Sequence, residues 1–82
     1  MHEVILTDSA LRDLRSFDKK LQERLIEKIS ELEKEPTAKS RKLKNSSLGD
    51  YRFRIGDYRV IYDIDDGKVV ILRIGHRKEI YR

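Results

Sequence analysis

Between Tyr51 and Ile74 the chain alternates three times in a way that only a sheet satisfies. Residues 51–55 read YRFRI, 58–64 read YRVIYDI and 68–74 read KVVILRI. The separators are Gly56-Asp57 and Asp65-Asp66-Gly67, the residues that tight hairpin turns demand. Successive strand side chains point to opposite faces. Alternation therefore puts Tyr51, Phe53 and Ile55 on one face with Tyr58, Val60, Tyr62 and Ile64. Arg52, Arg54, Arg59, Ile61 and Asp63 fall on the other. The third run is apolar on both sides, with Val70, Leu72 and Ile74 opposing Val69, Ile71 and Arg73.

Upstream the period changes. His2 to Thr7 reads as a short strand, and Asp8 or Ser9 can cap a helix with apolar positions Ala10, Leu11, Leu14 and Phe17. Asp18 offers a second cap. Leu21, Leu25, Ile26, Ile29 and Leu32 then form one apolar stripe, closed by Pro36. Helices joined this closely form a hairpin. Residues 37–50, polar, basic and turn-rich, read as a connector. The predicted fold is α+β in the order β-α-α-β-β-β, with the helical hairpin packed on one face of a small, mainly antiparallel four-stranded sheet.

Composition agrees with a single domain over residues 1–82. At 38% hydrophobic and 41% charged, the chain can fill one two-layer core and must leave the second sheet face to polar groups. It has no cysteine, which removes disulfides, thiolate metal sites and cysteine nucleophiles. Val4-Ile5-Leu6 is far too short for a signal peptide or membrane span, which places the chain in the cytoplasm. Charge is unevenly divided. Up to Pro36 there are seven Lys/Arg against nine Asp/Glu; beyond it there are twelve against six. Such asymmetry suits a surface that meets a polyanion, or merely an unevenly charged soluble one.

With the helices over the aromatic face, Arg52, Arg54, Arg59 and Arg73 line the opposite one. Arg77 and Tyr81 join them if the chain stays extended past Gly75. Guanidinium forks bind phosphate and a tyrosine ring supports an unstacked base, so the pattern suits RNA. The plainer reading is that a polar sheet face carries arginine to prevent aggregation.

The run Tyr51-Arg52-Phe53-Arg54-Ile55-Gly56-Asp57-Tyr58-Arg59-Val60-Ile61-Tyr62 and the ending Gly75-His76-Arg77-Lys78-Glu79-Ile80-Tyr81 resemble the RelE/ParE toxin superfamily. The resemblance spans essentially the whole chain. It implies a RelE-like fold and the toxin half of a type II toxin–antitoxin pair, with a RelB-like antitoxin as partner. Its RelE-like branch implies a ribosome-dependent endoribonuclease that cuts mRNA in the A site. There the ribose 2′-hydroxyl attacks the adjacent phosphate and leaves a 2′,3′-cyclic phosphate, without metal or other cofactor. Arg59 and Arg77 match the family's phosphate-contacting arginines, and Tyr81 its C-terminal tyrosine. Arg52 and Arg54 stand where well-known RelE enzymes have lysines. Since arginine stays protonated, these two suit phosphate binding with Arg73 and His76 rather than proton transfer. The superfamily also implies two alternatives: a ParE-like inhibitor of DNA gyrase, and a non-catalytic relative that binds RNA or antitoxin.

His76 has the intrinsic proton affinity of a general acid or base, but alternation turns it toward the core side, away from Arg77. Pairing with His2 is the other way to assemble an acid and a base. Lys39, Arg41, Lys42 and Lys44 form a second basic cluster, suited to ribosome docking through phosphate contacts or simply a solvated connector. Val69 and Ile71, left over on the arginine face, are candidates to receive an antitoxin segment.

Overall fold

Two polar caps divide the helical hairpin. The Asp18 carboxylate accepts from the Leu21 amide at 2.8 Å, and the Thr7 hydroxyl accepts from the Ala10 amide at 3.2 Å. The first cap falls on Thr7, ahead of the expected Asp8 or Ser9, because the first strand ends at Leu6 and leaves Thr7 extended. The computed structural model describes residues 2–36, 40–42, 49 and 51–80. Its elements are β1 (Glu3–Leu6), α1 (Asp8–Arg15), α2 (Lys19–Ile29) running into a 3-10 turn (Ser30–Glu33), β2 (Ser40–Lys42), β3 (Tyr51–Ile55), β4 (Tyr58–Asp65) and β5 (Lys68–His76). None of the described helices is long and apolar enough to cross a membrane.

The strands stand in the order β1-β5-β4-β3-β2, with β1 parallel to β5 and every other pair antiparallel. The α+β architecture of a helical hairpin on a four-strand frame is as expected. One short strand is added: within the basic connector, Ser40 to Lys42 pair with Phe53 to Tyr51 at the sheet edge. Both tight turns use positive φ as their sequences demand. Gly56 sits at φ 59°, and Asp66-Gly67 at φ 50° and 77°, the latter matching a type I′ hairpin.

The core lies between helices and sheet. Ala10, Leu14, Leu25, Ile29 and Leu32 meet Phe53, Ile55, Val60 and Tyr62, all buried. Each such side chain contributes roughly 1.5–3 kcal/mol by leaving water. The Tyr62 hydroxyl, inside that core, donates to the Pro36 carbonyl. Ile26 departs from the predicted stripe: it lies 53% exposed, one position round the helix from Leu25.

The assignment of faces on β5 needs correction. Ile61 pairs with Arg73 while Tyr62 pairs with Ile71, so Leu72 is an extra residue in the strand. This bulge reverses parity. Val69 and Ile71, fully buried, therefore share the helix side with Ile74. They belong to the core and offer nothing to an antitoxin.

Candidate active site

The β3–β4 turn gathers the cations. Arg54 and Arg59 are directly opposite each other across β3 and β4, and Gly75 of β5 is the next partner of Arg59. Like charges facing across an antiparallel pair are destabilising unless something offsets them. Arg59 has such an offset. Its side chain curls back so that Nη1 donates to the carbonyls of Gly56 and Tyr58, each at 2.9 Å. Arg77 reaches the same turn from the end of β5. Its amide donates to the Asp57 carbonyl at 2.8 Å, and its Nε lies 3.8 Å from the Asp57 carboxylate. A two-residue turn thus holds one arginine by its side chain and a second by its backbone.

Arg59 is only 6% exposed, against the expectation of an open arginine face. That face is closed in two places. Gly49 lies over Ile61 and Leu72, so near that a Cβ there would fall 2.8 Å from the Ile61 side chain. At the other end the chain turns at His76, whose carbonyl accepts from the amides of Glu79 and Ile80. Ile80 folds onto Gly75 and is itself buried. Arg54 and Arg77 remain exposed, and Arg52 is half-buried.

Arg73 is not part of an open cation row. Beyond Leu6 the edge of β5 passes from β1 to α1. The Thr7 amide donates to the Ile71 carbonyl, and the Asp13 carboxylate accepts from the Ile74 amide at 2.9 Å. Arg73 bends to that carboxylate, with Nε at 2.7 Å. The hydrogen bond to Asp13, then its charge, raises the Arg73 pKa above the ordinary arginine value, so the group stays cationic and committed. Replacing Asp13 by alanine is expected to cost roughly 2 kcal/mol, chiefly from the lost acceptor for Ile74. Asp13→Asn keeps an acceptor and should cost well under half of that. Paired thermal melts distinguish the two.

His76 lies on the helix side, as alternation predicts. Its ring meets Tyr58 edge-on at 5.5 Å, and Tyr58 meets Phe17 in the same manner at 5.4 Å. The Lys78 amide donates to its Nδ1 at 3.1 Å, which leaves Nε2 as the ring's donor nitrogen. His2 does not meet it. Glu3 pairs with Lys68 at the far end of β5, roughly 25 Å from His76 at strand rise. Arg41 and Lys42 fall in β2, opposite Arg52 and Tyr51. Lys39, Lys44 and Tyr81 lie outside the described residues.

Sequence reasoning missed Asp13, which captures Arg73, and Arg24 of α2, whose guanidinium comes within 3.3 Å of where a Cβ on Gly56 would be. Arg24 borders the apolar stripe at Leu25, a weak sign that it would point across to the sheet. Among the described residues no three His, Asp or Glu side chains converge on a metal position. The cations gathered at this turn are guanidinium groups, whose planar forks match the geometry of a phosphate.

Comparison with known proteins places this helical hairpin on a mixed sheet among the small toxins of type II toxin–antitoxin systems. Residues 4–81 match the family described as ParE toxin of type II toxin–antitoxin system, parDE. Toxin RelG of Mycobacterium tuberculosis is 36% identical over 99% of this chain and 97% of its own length. Toxin RelE of the same organism is 36% identical over 99% and 87%. Among solved structures, the toxin–antitoxin complex RelBE of M. tuberculosis superposes with a TM-score of 0.83 at 34% identity, covering 93% of this chain and 98% of that one. The archaeal RelE–RelB complex of Pyrococcus horikoshii gives 0.78 at 32% identity, covering 95% and 97%. The chain belongs to the RelE/ParE toxin superfamily and is a RelE-family toxin of a type II toxin–antitoxin system.

Proposed function

We propose that this toxin is an endoribonuclease that cuts mRNA in the ribosomal A site by attack of the 2′-hydroxyl on the adjacent phosphate. The observation that carries this reading is the cluster at the β3–β4 turn, where Arg54 of β3 faces Arg59 of β4 and Arg77, just past β5, is held to Asp57. Arg77, exposed, contacts the reacting phosphate, and Arg54, also exposed, contacts the RNA backbone beside it. Arg59, withdrawn beneath the surface, fixes the turn and adds a positive field in a medium of low dielectric. The 2′-hydroxyl supplies the nucleophile, so the protein's tasks are orientation and neutralisation of the phosphorane. Orientation of this kind is worth up to ~7–11 kcal/mol. Tyr81 is proposed to orient the nucleotide from the C-terminus. A RelB-like antitoxin is the proposed partner that restrains the toxin, and the cytoplasm, where mRNA is translated, its place of action. Lys39, Arg41, Lys42 and Lys44 are proposed to dock on ribosomal RNA.

Gyrase inhibition is the second reading, favoured by the match to a ParE family, by the burial of Arg59 and by the pairing of Arg73 with Asp13. A translation reaction and a gyrase supercoiling reaction, each given the same toxin, separate the two. Translation should stop with the message cut inside A-site codons, while supercoiling proceeds. Blocked supercoiling with intact message would replace the nuclease reading.

A further inference from the structure

On the other side of Gly56 lies a shallow cavity of about 200 Å³, lined by Arg24 and Lys28 of α2, by Glu31 and by Arg54 of β3. Its charge is unbalanced. Lys28 pairs with Glu31 at 3.7 Å, whereas among the described residues neither Arg24 nor Arg54 has an acidic partner. Three cations thus face one cavity with a single carboxylate among them, and a bound anion offsets the remaining repulsion. Gly56 closes the cavity from the turn side, where its missing side chain lets the Arg24 guanidinium approach.

We propose that Arg24 and Arg54 form a second phosphate subsite for a single RNA strand, continuous with the Arg59 and Arg77 site on the same turn. This rests on the nuclease reading for its ligand. The argument for an RNA backbone is the layout. Arg54 and Arg59 face each other across β3 and β4 about 4.8 Å apart, Arg77 follows the end of β5 and meets Asp57 of the same turn, and Arg24 reaches Gly56 of that turn from α2. A row of cations serves successive phosphates of one strand, whereas an isolated anion needs only one of them. The guanidinium fork suits each phosphate. The cavity thus holds the message beside the scissile bond and fixes its direction across the turn.

The test is the salt dependence of binding to a single-stranded RNA oligonucleotide that carries 2′-O-methyl groups and resists cleavage. Each lost phosphate contact lowers the slope of log affinity against log salt by about 0.7 for a single strand. Arg24→Ala is expected to lower it by that amount, and Arg24→Lys to restore it. Lys68→Ala, which removes one cation at the far end of the sheet, is expected to leave the slope unchanged. An unchanged slope in Arg24→Ala, or equal losses in Arg24→Ala and Lys68→Ala, would overturn the subsite. A loss seen with vacant ribosomes and absent with the oligonucleotide would overturn the assignment to the message, giving the site to ribosomal RNA. Uncut mRNA on programmed ribosomes, with the slope change intact, would remove the nuclease reading and leave the subsite standing.

Discussion

Arg77→Ala is expected to lower cleavage of ribosome-bound mRNA by about 10²–10³-fold, the usual loss when one donor to a developing oxyanion is removed. Its fold should survive unchanged. The side chain is half exposed and its contact with Asp57 is long, so the ion pair is worth at most ~1 kcal/mol. The bond that anchors this segment runs from the Arg77 amide to the Asp57 carbonyl and does not depend on the side chain. Activity and stability therefore separate at this position. Arg77→Lys should recover part of the rate, because the charge returns without the planar fork. Single-turnover cleavage and thermal melts of the same preparations check both halves.

Arg59→Ala is expected to behave differently, losing stability as well as activity. Two hydrogen bonds from a cationic donor to the Gly56 and Tyr58 carbonyls disappear. Such bonds contribute ~1.5–3 kcal/mol each when intact, less when the released carbonyls can reach water. A net loss of about 2–3 kcal/mol follows, which lowers the melting midpoint of a domain this size by at least ~8 °C. Cleavage should fall even at temperatures where the variant is fully folded, since the turn that presents Arg77 is no longer held. A variant as stable as the parent would show that the buried guanidinium does not fix the turn.

The frame of the fold was legible because its signals are local. Alternation at 51–55 and 58–64, the Asp66-Gly67 turn and the Asp18 cap each depend on a few adjacent residues. What sequence could not supply is where the chain deviates or folds back. The extra residue at Leu72 is invisible in a run apolar on both faces, yet it moves Val69 and Ile71 into the core. Ser40 to Lys42 are too short and too polar to read as a strand without the β3 edge beside them.

The candidate site was legible as a set of residues and not as a surface. Arg59 sits on the expected face, but its burial depends on the C-terminal turn that seats Ile80 on Gly75, a contact between residues that alternation treats as continuous strand. Arg73 left the set because Asp13, sixty positions away, takes the edge amide of Ile74 and the guanidinium together. Arg24 entered because its guanidinium reaches from α2 to Gly56 of the β3–β4 turn. The last two are long-range contacts of charged side chains, and charge patterns along a sequence do not specify such contacts.

The central claim is that arginines at the β3–β4 turn stabilise the attack of an RNA hydroxyl on its own phosphate. It is tested most directly by mapping the ends produced when wild type and Arg77→Ala are added to ribosomes programmed with a defined mRNA. Cuts confined to the A-site codon, bearing a 2′,3′-cyclic phosphate and a 5′-hydroxyl, and reduced at least about a hundredfold in the variant, are the predicted result. Intact mRNA on translation-competent ribosomes, or equal cutting by the two proteins, would contradict it.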